Sequence, residues 1–357
     1  MNKRKIIFFL PLMSGGGAER VTINIIKKLD KNYFEPHLVL GTKAQGNSLH
    51  LIPKEIYQHD LKTKKTIFSI FKLRAIIKKI NPYFIYTSLN RSHIALYLAL
   101  IGLKNRPKTL MRIPSSPKLV NRYVKYGYIF NFFLNRALKK ANYIIVQTPE
   151  MRDETEIYHH IDREKIKVLI NPLDRDLIES SLKHQSPFDK QYINVTASGR
   201  LSKEKGFDIL IKAFQKVYMK NSNFRLYIIG ADYDNQKGKY KELIKSLDLN
   251  SVVHLLGFQK NPYIYYQHSD LFVLSSRWEG LPNAVLENLY LTKPIVATKC
   301  IPFMEQLIID GKNGFLVDVE NIEQLSDRIL RYKELKSLGI SNRFKHSDVN
   351  SFFRRLV

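Results

Sequence analysis

The sequence contains little cysteine and no long apolar run. Cys300 is the only cysteine in 357 residues, which excludes an intramolecular disulfide framework and a cysteine-cluster metal site. No segment approaches the roughly 20 consecutive apolar residues of a membrane-spanning helix. The basic and apolar start, residues 3–13, lacks the cleavage site of a signal peptide and predicts a first strand. We therefore expect a cytoplasmic protein that is not integral to a membrane.

Acidic residues are absent from residues 61–149, whereas lysine and arginine are abundant there. The formal net charge of the chain is +26, so one face of the first half should attract a polyanion such as nucleic acid or anionic lipid. Residues 66–79 and 123–136 interleave basic and aromatic side chains, a pattern typical of helices at a membrane interface. The alternative is a set of solvated lysines on helices whose apolar stripes face the core.

Both halves of the chain alternate short apolar runs with longer helical patterns, which specifies parallel sheets covered on both faces. Strands are predicted at 5–10, 36–40, 83–87, 109–112, 143–147 and 166–170, and again at 192–197, 225–229, 252–255, 271–274, 294–297 and 315–317. The clearest helices are predicted at 207–219, 239–247 and 282–291. The pattern breaks at 171–191, so we expect an N-terminal domain over 1–180, a C-terminal domain over 190–340, and a segment, 341–357, that packs back on the first domain. The predicted fold class is α/β, with two Rossmann-like, doubly wound sheets facing across a cleft.

Three glycines, Gly15 to Gly17, separate the first predicted strand from a helix that begins near Ala18. Glycines before a helix N-terminus let backbone N–H groups approach a phosphate or a sugar, and the helix dipole favours negative charge there. A flexible turn explains the same pattern, so this stretch alone does not decide between the two.

The stretch 197–210 leaves a predicted strand through Gly199 and begins a helix after Gly206. Arg200 and Lys205 would place two cations beside that helix N-terminus, at the strand end where open α/β sheets bind ligands. The arrangement suits a diphosphate, and surface charges on a turn are the alternative.

Residues 275–289 combine two glutamates with Pro282, which suits the first turn of a helix. Glu279 in the loop and Glu287 in the helix can then face one ligand, one reaching a hydroxyl-rich group and the other a ribose diol. Exposed glutamates on a helix face are the alternative. The helix would also leave free N–H groups that point toward the preceding loop, those of Asn283, Ala284 and Val285.

Four different motifs follow one another along the chain: GGAERV (16–21), GRL (199–201) with KGFD (205–208), EGLPN (279–283) with Glu287, and DGKNGFLV (310–317). In order and spacing they resemble the motifs of the retaining glycosyltransferases of family 4, which have the GT-B architecture of two Rossmann-like domains. The resemblance covers nearly the whole chain.

The resemblance implies transfer of a sugar from a nucleotide diphosphate sugar, with UDP favoured, with retention of anomeric configuration and without a metal ion or cofactor. Arg200 and Lys205 would neutralise the departing diphosphate, Glu279 would contact the donor sugar, and Glu287 would hold the ribose hydroxyls. Fixed cations suit this reaction because breaking the anomeric bond builds negative charge on the diphosphate. The other implied donor contacts are Gly16, Gly17, Gly199, Gly280, Leu281, Pro282, Asn283 and Ala284.

Some positions depart from the family pattern. Family members often carry a histidine after the strand at 109–111, where this chain has Arg112-Ile113-Pro114; His93 could partly replace it or play a structural role. Ile301-Pro302 stands where a pair of glycines is usual. Asp232-Tyr233-Asp234 also resembles the cation site of metal-dependent glycosyltransferases of the other major fold, which leaves a metal site as a competing interpretation.

The sequence therefore predicts a metal-independent hexosyl- or N-acetylhexosaminyltransferase, peripheral on the inner face of the cell membrane, that extends a bacterial capsule, O-antigen or related polysaccharide. Its partners would be a nucleotide diphosphate sugar, a lipid-linked or oligosaccharide acceptor and an anionic membrane surface, but not nucleic acid. Two alternatives stay open. One is a GT-B sugar-nucleotide epimerase, and the other is a basic nucleic-acid-binding protein, which explains the charge but not Glu279 and Glu287.

Overall fold

The computed structural model describes residues 3–43, 47–123, 127–233, 235–336 and 347–357. The chain forms two compact units, Met1–Pro172 with His346–Val357, and Leu173–Lys345. The first unit therefore contains the end of the chain as well as its beginning.

The described residues of the first unit form a sheet of seven parallel strands. The strands are β1 (Arg4–Leu10), β2 (Phe34–Leu40), β3 (Tyr57–Asp60), β4 (Phe84–Thr87), β5 (Lys108–Arg112), β6 (Tyr143–Val146) and β7 (Ile166–Val168), in the order β3-β2-β1-β4-β5-β6-β7. The helices are α1 (Gly17–Lys28), α2 (Ile70–Ile80), α3 (Asn90–Leu100), α4 (Pro117–Tyr123), α5 (Tyr128–Lys140) and α6 (Pro149–His159). Short 3₁₀ turns occur at Leu49–Leu51, Thr66–Ser69 and Arg163–Lys165.

The central strand β1 shows why this sheet is covered on both faces. Ile7 and Phe9 belong to the hydrophobic core under α2, α3 and α5, whereas Ile6, Phe8 and Leu10 belong to the core on the side of α1. Side chains alternate between the faces of a strand, so a strand buried on both faces has an unbroken apolar sequence.

The described residues of the second unit form six parallel strands and repeat the same winding. The strands are β8 (Ile193–Ser198), β9 (Phe224–Ile229), β10 (Val253–Gly257), β11 (Leu271–Leu274), β12 (Ile295–Thr298) and β13 (Gly314–Val317), in the order β10-β9-β8-β11-β12-β13. The helices are α7 (Arg175–Ser181), α8 (Phe207–Lys220), α9 (Gln236–Ser246), α10 (Tyr263–His268), α11 (Asn283–Tyr290), α12 (Met304–Leu307) and α13 (Ile322–Leu330), with 3₁₀ turns at Lys203–Lys205 and Tyr332–Glu334. The strand order reverses between β8 and β11, and ligands of open α/β sheets bind beside the carboxyl ends of strands at such a point.

The last helix, α14 (Val349–Arg355), packs on the first unit. Phe353 is fully buried, with its ring centroid 6.5 Å from that of Phe8. Asn350 Oδ1 accepts a hydrogen bond of 2.6 Å from the backbone N–H of Asp30, and the Asp30 carboxylate also pairs with Arg354 at 2.5 Å. The end of the chain is thus part of the first unit's core.

The twelve strands predicted from the sequence are confirmed, each to within two residues at either end. The predictions missed β3 and α7. Strand β3 has the polar sequence YQHD and pairs only with β2 at the sheet edge, so it lacks an apolar run. Helix α7 lies inside the turn-rich stretch 171–191, where the side chain of Asp174 caps it by accepting from the N–H of Leu177 at 3.3 Å.

Candidate functional site

The loops that follow β8 and β11 bring two of the predicted catalytic side chains into contact. Lys205 Nζ lies 2.6 Å from Glu279 Oε1, and Ser276 Oγ donates to the same oxygen at 2.8 Å. The side chains of Lys205 and Glu279 are 18% and 12% exposed. Neither side chain is therefore a surface charge that contacts only solvent.

The ion pair keeps the Lys205 ammonium charged. Burial opposes that charge, but the carboxylates of Glu279 and Glu204 outweigh this effect and raise the pKa of Lys205 above its ordinary value. At neutral pH a fixed cation consequently lies at the carboxyl end of β8.

Arg200 lies on the same loop and has different partners. Its Nη2 donates to Glu204 Oε1 at 3.1 Å, and its guanidinium lies 4.6 Å from the ring centroid of Tyr233. The Arg200 side chain is 41% exposed, more than twice the exposure of Lys205. Of the two predicted catalytic cations on this loop, Lys205 is therefore shielded and Arg200 is accessible to solvent.

Two glycines let this loop approach neighbouring backbone. Gly206 has φ +61°, and a Cβ there would lie 2.1 Å from the carbonyl oxygen of Ser275. A Cβ on Gly230, which follows β9, would lie 1.7 Å from the carbonyl oxygen of Gly199. Both contacts are impossible for any residue with a side chain, so these glycines set the path of the loop that carries Arg200 and Lys205.

Gly230→Ala is expected to lower the free energy of unfolding by about 3 kcal/mol, because the Gly199 backbone has to move. Gly238→Ala in α9 is the matched control: its Cβ meets no atom within 4 Å. That change is expected to raise the helix stability by up to about 1 kcal/mol. Urea unfolding of both variants measures the difference, and equal midpoints would show that the Gly199 backbone yields freely.

Helix α11 begins directly after Pro282, which is its N-cap residue. Glu287 is only 3% exposed, and its Oε1 lies 3.4 Å from the hydroxyl of Tyr263. Neither Glu279 nor Glu287 is an exposed glutamate on a helix face. The expectation of a free N–H group on Val285 was wrong, because that group donates to the carbonyl of Pro282 at 3.1 Å.

In the first unit, a carboxylate of the chain itself holds the glycine stretch. Glu19 Oε1 accepts from Ser14 Oγ at 2.7 Å, and Glu19 Oε2 accepts from the N–H groups of Gly15 and Gly16 at 2.8 and 3.1 Å. This role of Glu19 was not predicted, although a glutamate at the third position of a helix is a common signal for a capped N-terminus. The contact gives the turn before α1 a defined conformation. It also uses the N–H groups of Gly15 and Gly16, which the sequence predicted to approach a phosphate or a sugar.

His93 is a structural residue of the first unit. It is fully buried, and burial lowers the pKa of its ring to about 3, so the ring is neutral at pH 7. Its Nε2 lies 3.2 Å from the carbonyl oxygen of Arg112, which can only accept, so Nε2 carries the proton. Nδ1 then accepts from the hydroxyl of Thr87 at 2.7 Å. Both ring nitrogens are used inside the unit.

The competing metal interpretation rests on Asp232 and Asp234. Asp232 Oδ1 accepts from the N–H of Lys237 at the start of α9, at 3.0 Å, and Asp234 lies outside the described residues. Within the residues that the structure describes, no three histidine, cysteine, aspartate or glutamate side chains are grouped to hold a metal ion.

Three helices of residues 61–149, the stretch without acidic residues, cover one face of the first sheet. Helices α2 and α5 both pack against α3 over the same sheet face, and Arg74 Nη1 joins α2 to the carbonyl of Ala99 in α3 at 3.0 Å. This side carries large exposed apolar side chains: Ile67, Phe68, Phe71, Ile101, Tyr128, Ile129 and Phe132. The part of the predicted segment 123–136 at 124–126 lies outside the described residues. No helix in the described part of the chain has the length and apolarity to cross a bilayer.

Comparison with known proteins assigns the family. Residues 15–177 match the family described as Glycosyltransferase Family 4, and residues 179–345 match the family described as Glycosyl transferases group 1. An uncharacterized glycosyltransferase of Haemophilus influenzae is 30% identical over 331 residues, which cover 90% of this chain and 88% of that protein. This chain is a group 1 glycosyltransferase.

Further relatives of the glycosyltransferase agree with this assignment. A Campylobacter jejuni protein named N-acetylgalactosamine-N,N'-diacetylbacillosaminyl-diphospho-undecaprenol 4-alpha-N-acetylgalactosaminyltransferase is 27% identical over 89% of this chain and 87% of its own length. A crystal structure of Anabaena HepE in complex with UDP and glucose superposes with a TM-score of 0.78 at 20% identity, covering 99% of both chains. The glycosyltransferase has the GT-B fold, as the sequence motifs predicted.

Proposed function

We propose that this glycosyltransferase transfers a hexose or N-acetylhexosamine from a UDP-sugar to a lipid-linked glycan, with retention, during synthesis of a bacterial surface polysaccharide such as capsule or O-antigen. The observation that carries the proposal is the contact of Lys205 with Glu279 where the strand order of the second sheet reverses. Ligands of open α/β sheets bind at such a point, and a fixed cation there can stabilise a leaving diphosphate.

The residues of the second unit take distinct roles in this proposal. Lys205 and Arg200 stabilise the charge on the departing diphosphate, Glu279 holds Lys205 and contacts the donor sugar, and Glu287 binds the ribose. The backbone around the donor comes from Gly199, Gly280, Leu281, Pro282, Asn283 and Ala284, with Gly16 and Gly17 of the first unit as further donor contacts. Lys205 and Arg200 together would provide the charge stabilisation that a divalent metal ion provides elsewhere, so transfer is expected without metal ion or cofactor.

The relatives indicate the class of donor and acceptor. The Campylobacter jejuni transferase acts, by its name, on a glycan carried by diphospho-undecaprenol, and the Anabaena structure contains UDP. A lipid diphosphate acceptor fits the excess of lysine and arginine in residues 61–149. We propose that the protein binds the cytoplasmic face of the membrane, with the side that carries α2 and α5 toward anionic lipid. Nucleic-acid binding and sugar-nucleotide epimerisation are the outcomes that would replace this proposal.

Thermal denaturation with UDP, GDP and ADP tests the donor site. UDP is expected to raise the melting temperature most, since a ligand at 100 times its Kd stabilises the folded state by about 2.7 kcal/mol. Glu287→Gln should remove most of this shift, whereas Glu242→Gln, an exposed residue of α9, should keep it. An equal shift with all three nucleotides, or no shift with any, would reject the assignment of the nucleotide.

Transfer itself is tested with UDP-sugars and an undecaprenyl diphosphate-linked glycan. We expect an α-linked product from an α-linked donor, and an unchanged rate in EDTA. A β-linked product would contradict retention. Loss of activity in EDTA that Mn²⁺ or Mg²⁺ restores would favour the metal interpretation of Asp232 and Asp234, and conversion of the UDP-sugar without acceptor would favour the epimerase.

A further inference from the structure

Arg277, between Ser276 and Glu279, makes contacts that the proposed chemistry does not use. Its side chain is 8% exposed and contacts Asp208 in the first turn of α8. Nη1 and Nη2 donate to the two carboxylate oxygens of Asp208 at 2.9 and 2.8 Å, and Nε donates to Glu320 Oε1 at 2.7 Å. Nη1 also donates to the carbonyl of Lys203 at 2.8 Å.

These contacts fix the turn that carries Lys205. Three consecutive carbonyls of that turn accept hydrogen bonds from residues 275–277. Lys203 C=O accepts from the Arg277 guanidinium, Glu204 C=O accepts from the Arg277 N–H at 2.7 Å, and Lys205 C=O accepts from Ser275 Oγ at 2.8 Å. The backbone of Lys205 is thus attached to the same loop that carries its ion-pair partner Glu279.

The site is built for a guanidinium. Bidentate pairing with Asp208, a bond to Glu320 and a bond to a carbonyl need donors on three nitrogens in a planar fork, which lysine lacks. The hydrogen bonds to Asp208 outweigh burial and raise the pKa of Arg277, so the group stays charged. Burial opposes the charge of Asp208, but the bonds from Arg277 hold its pKa below the ordinary value.

We propose that Arg277 is a positioning residue for transfer: it joins the loops after β8 and β11 so that Lys205 stays beside Glu279 at the leaving diphosphate. The inference rests on the role proposed above for Lys205. Arg277 itself contacts Asp208, Glu320 and backbone, so it acts through Lys205 and not on the substrate.

The experiment is a double-mutant cycle of Arg277→Lys with Lys205→Ala, read as kcat of sugar transfer with a radiolabelled donor. A misplacement of about 1 Å can cost about 100-fold in rate, so Arg277→Lys is expected to lower kcat about 100-fold. In the Lys205→Ala background the same change is expected to lower kcat less than threefold, because residues that act through one group are not additive. Arg331→Lys, at another arginine paired with carboxylates, is the matched control and should leave kcat unchanged.

Ser275→Ala covers the case in which Arg277→Lys does not fold. It removes only the bond to the Lys205 carbonyl, and it is expected to lower kcat about tenfold in the parent and not in the Lys205→Ala background. An equal further loss in both backgrounds would show that Arg277 or Ser275 supports the fold generally, and would overturn the inference. So would a kcat for Arg277→Lys within threefold of the parent.

The cycle separates this inference from the proposed function. If Lys205→Ala alone keeps the parent kcat, the role of Lys205 fails, and the inference about Arg277 fails with it. If Lys205→Ala lowers kcat as expected and Arg277→Lys lowers it by the same factor in both backgrounds, only the role of Arg277 is rejected.

Discussion

Lys205→Ala is expected to lower kcat for sugar transfer by about 10²–10³-fold, the effect of removing one group that stabilises developing negative charge. The ammonium of Lys205 is held at 2.6 Å from Glu279 and is largely shielded from solvent, so neither water nor another side chain replaces it easily. The loss should appear in kcat more than in binding of UDP, because the charge on the diphosphate increases as the anomeric bond breaks.

The same change is expected to affect stability, which has to be separated from chemistry. Removing Lys205 leaves the Glu279 carboxylate without its cation in a mostly buried position, which costs about 3 kcal/mol. Lys205→Met combined with Glu279→Gln removes both charges and should restore most of the stability. Activity should remain lost in this double variant, because the cation is still missing.

Arg200→Ala provides the comparison within the same loop. Arg200 is more exposed and its partner Glu204 is less buried than Glu279, so the protein should keep its melting temperature. We expect transfer to fall by about 10²-fold if Arg200 also contacts the diphosphate. Steady-state kinetics and thermal unfolding of the three variants measure these effects. Transfer within a few-fold of the parent for Lys205→Ala would remove it from the catalytic residues.

The strands, and the loops that carry the candidate site residues, were predictable because they depend on local sequence. Buried parallel strands have unbroken apolar runs, as in β1, and a sheet of this type directs ligands to the carboxyl ends of its strands. These rules place Arg200, Lys205 and Glu279 in loops that follow strand ends, and Glu287 in the helix after one of those loops, before any contact is known.

The side-chain contacts were not predictable, because they join residues that lie far apart in the chain. Nothing near Arg277 in sequence shows that its partners are Asp208 and Glu320. The contact of Lys205 with Glu279 depends in the same way on β8 lying beside β11. Glu19 differs, since its spacing from Gly16 is a local capping signal, so this contact was predictable from the sequence.

The basic side of the first unit combines charge with exposed apolar surface. Phe71 is 82% exposed and Phe68 is 63% exposed, and exposed lysines precede and follow them. Helix faces that contact only solvent are usually polar, whereas large exposed apolar groups often mark a site of interaction. Both features fit an anionic membrane, where aromatic rings enter the interface while lysines meet the headgroups.

Reversal of Lys64, Lys65 and Lys78 to glutamate is expected to weaken binding to anionic vesicles by about 100-fold. Each basic residue near such a surface contributes about 1 kcal/mol, so loss of three corresponds to roughly that factor before any repulsion by the new carboxylates. Phe71→Ser should weaken binding further, since burial of a phenylalanine contributes about 2 kcal/mol. Binding of the parent should also fall as salt screens the field.

Sedimentation with vesicles of anionic or neutral lipid measures this binding, and transfer to a lipid-linked acceptor should fall with it while the thermal shift with UDP stays. The matched control is reversal of Lys212, Lys220 and Lys245, exposed residues of α8 and α9 in the second unit, which changes the net charge by the same amount. A difference between the two triple variants therefore reports the position of the charge and not its total. If both lose binding equally, the attraction is a property of the whole chain's charge of +26. If neither loses it, the lysines of α2 and the turn before it are solvated, and the proposal that this side binds anionic lipid is rejected.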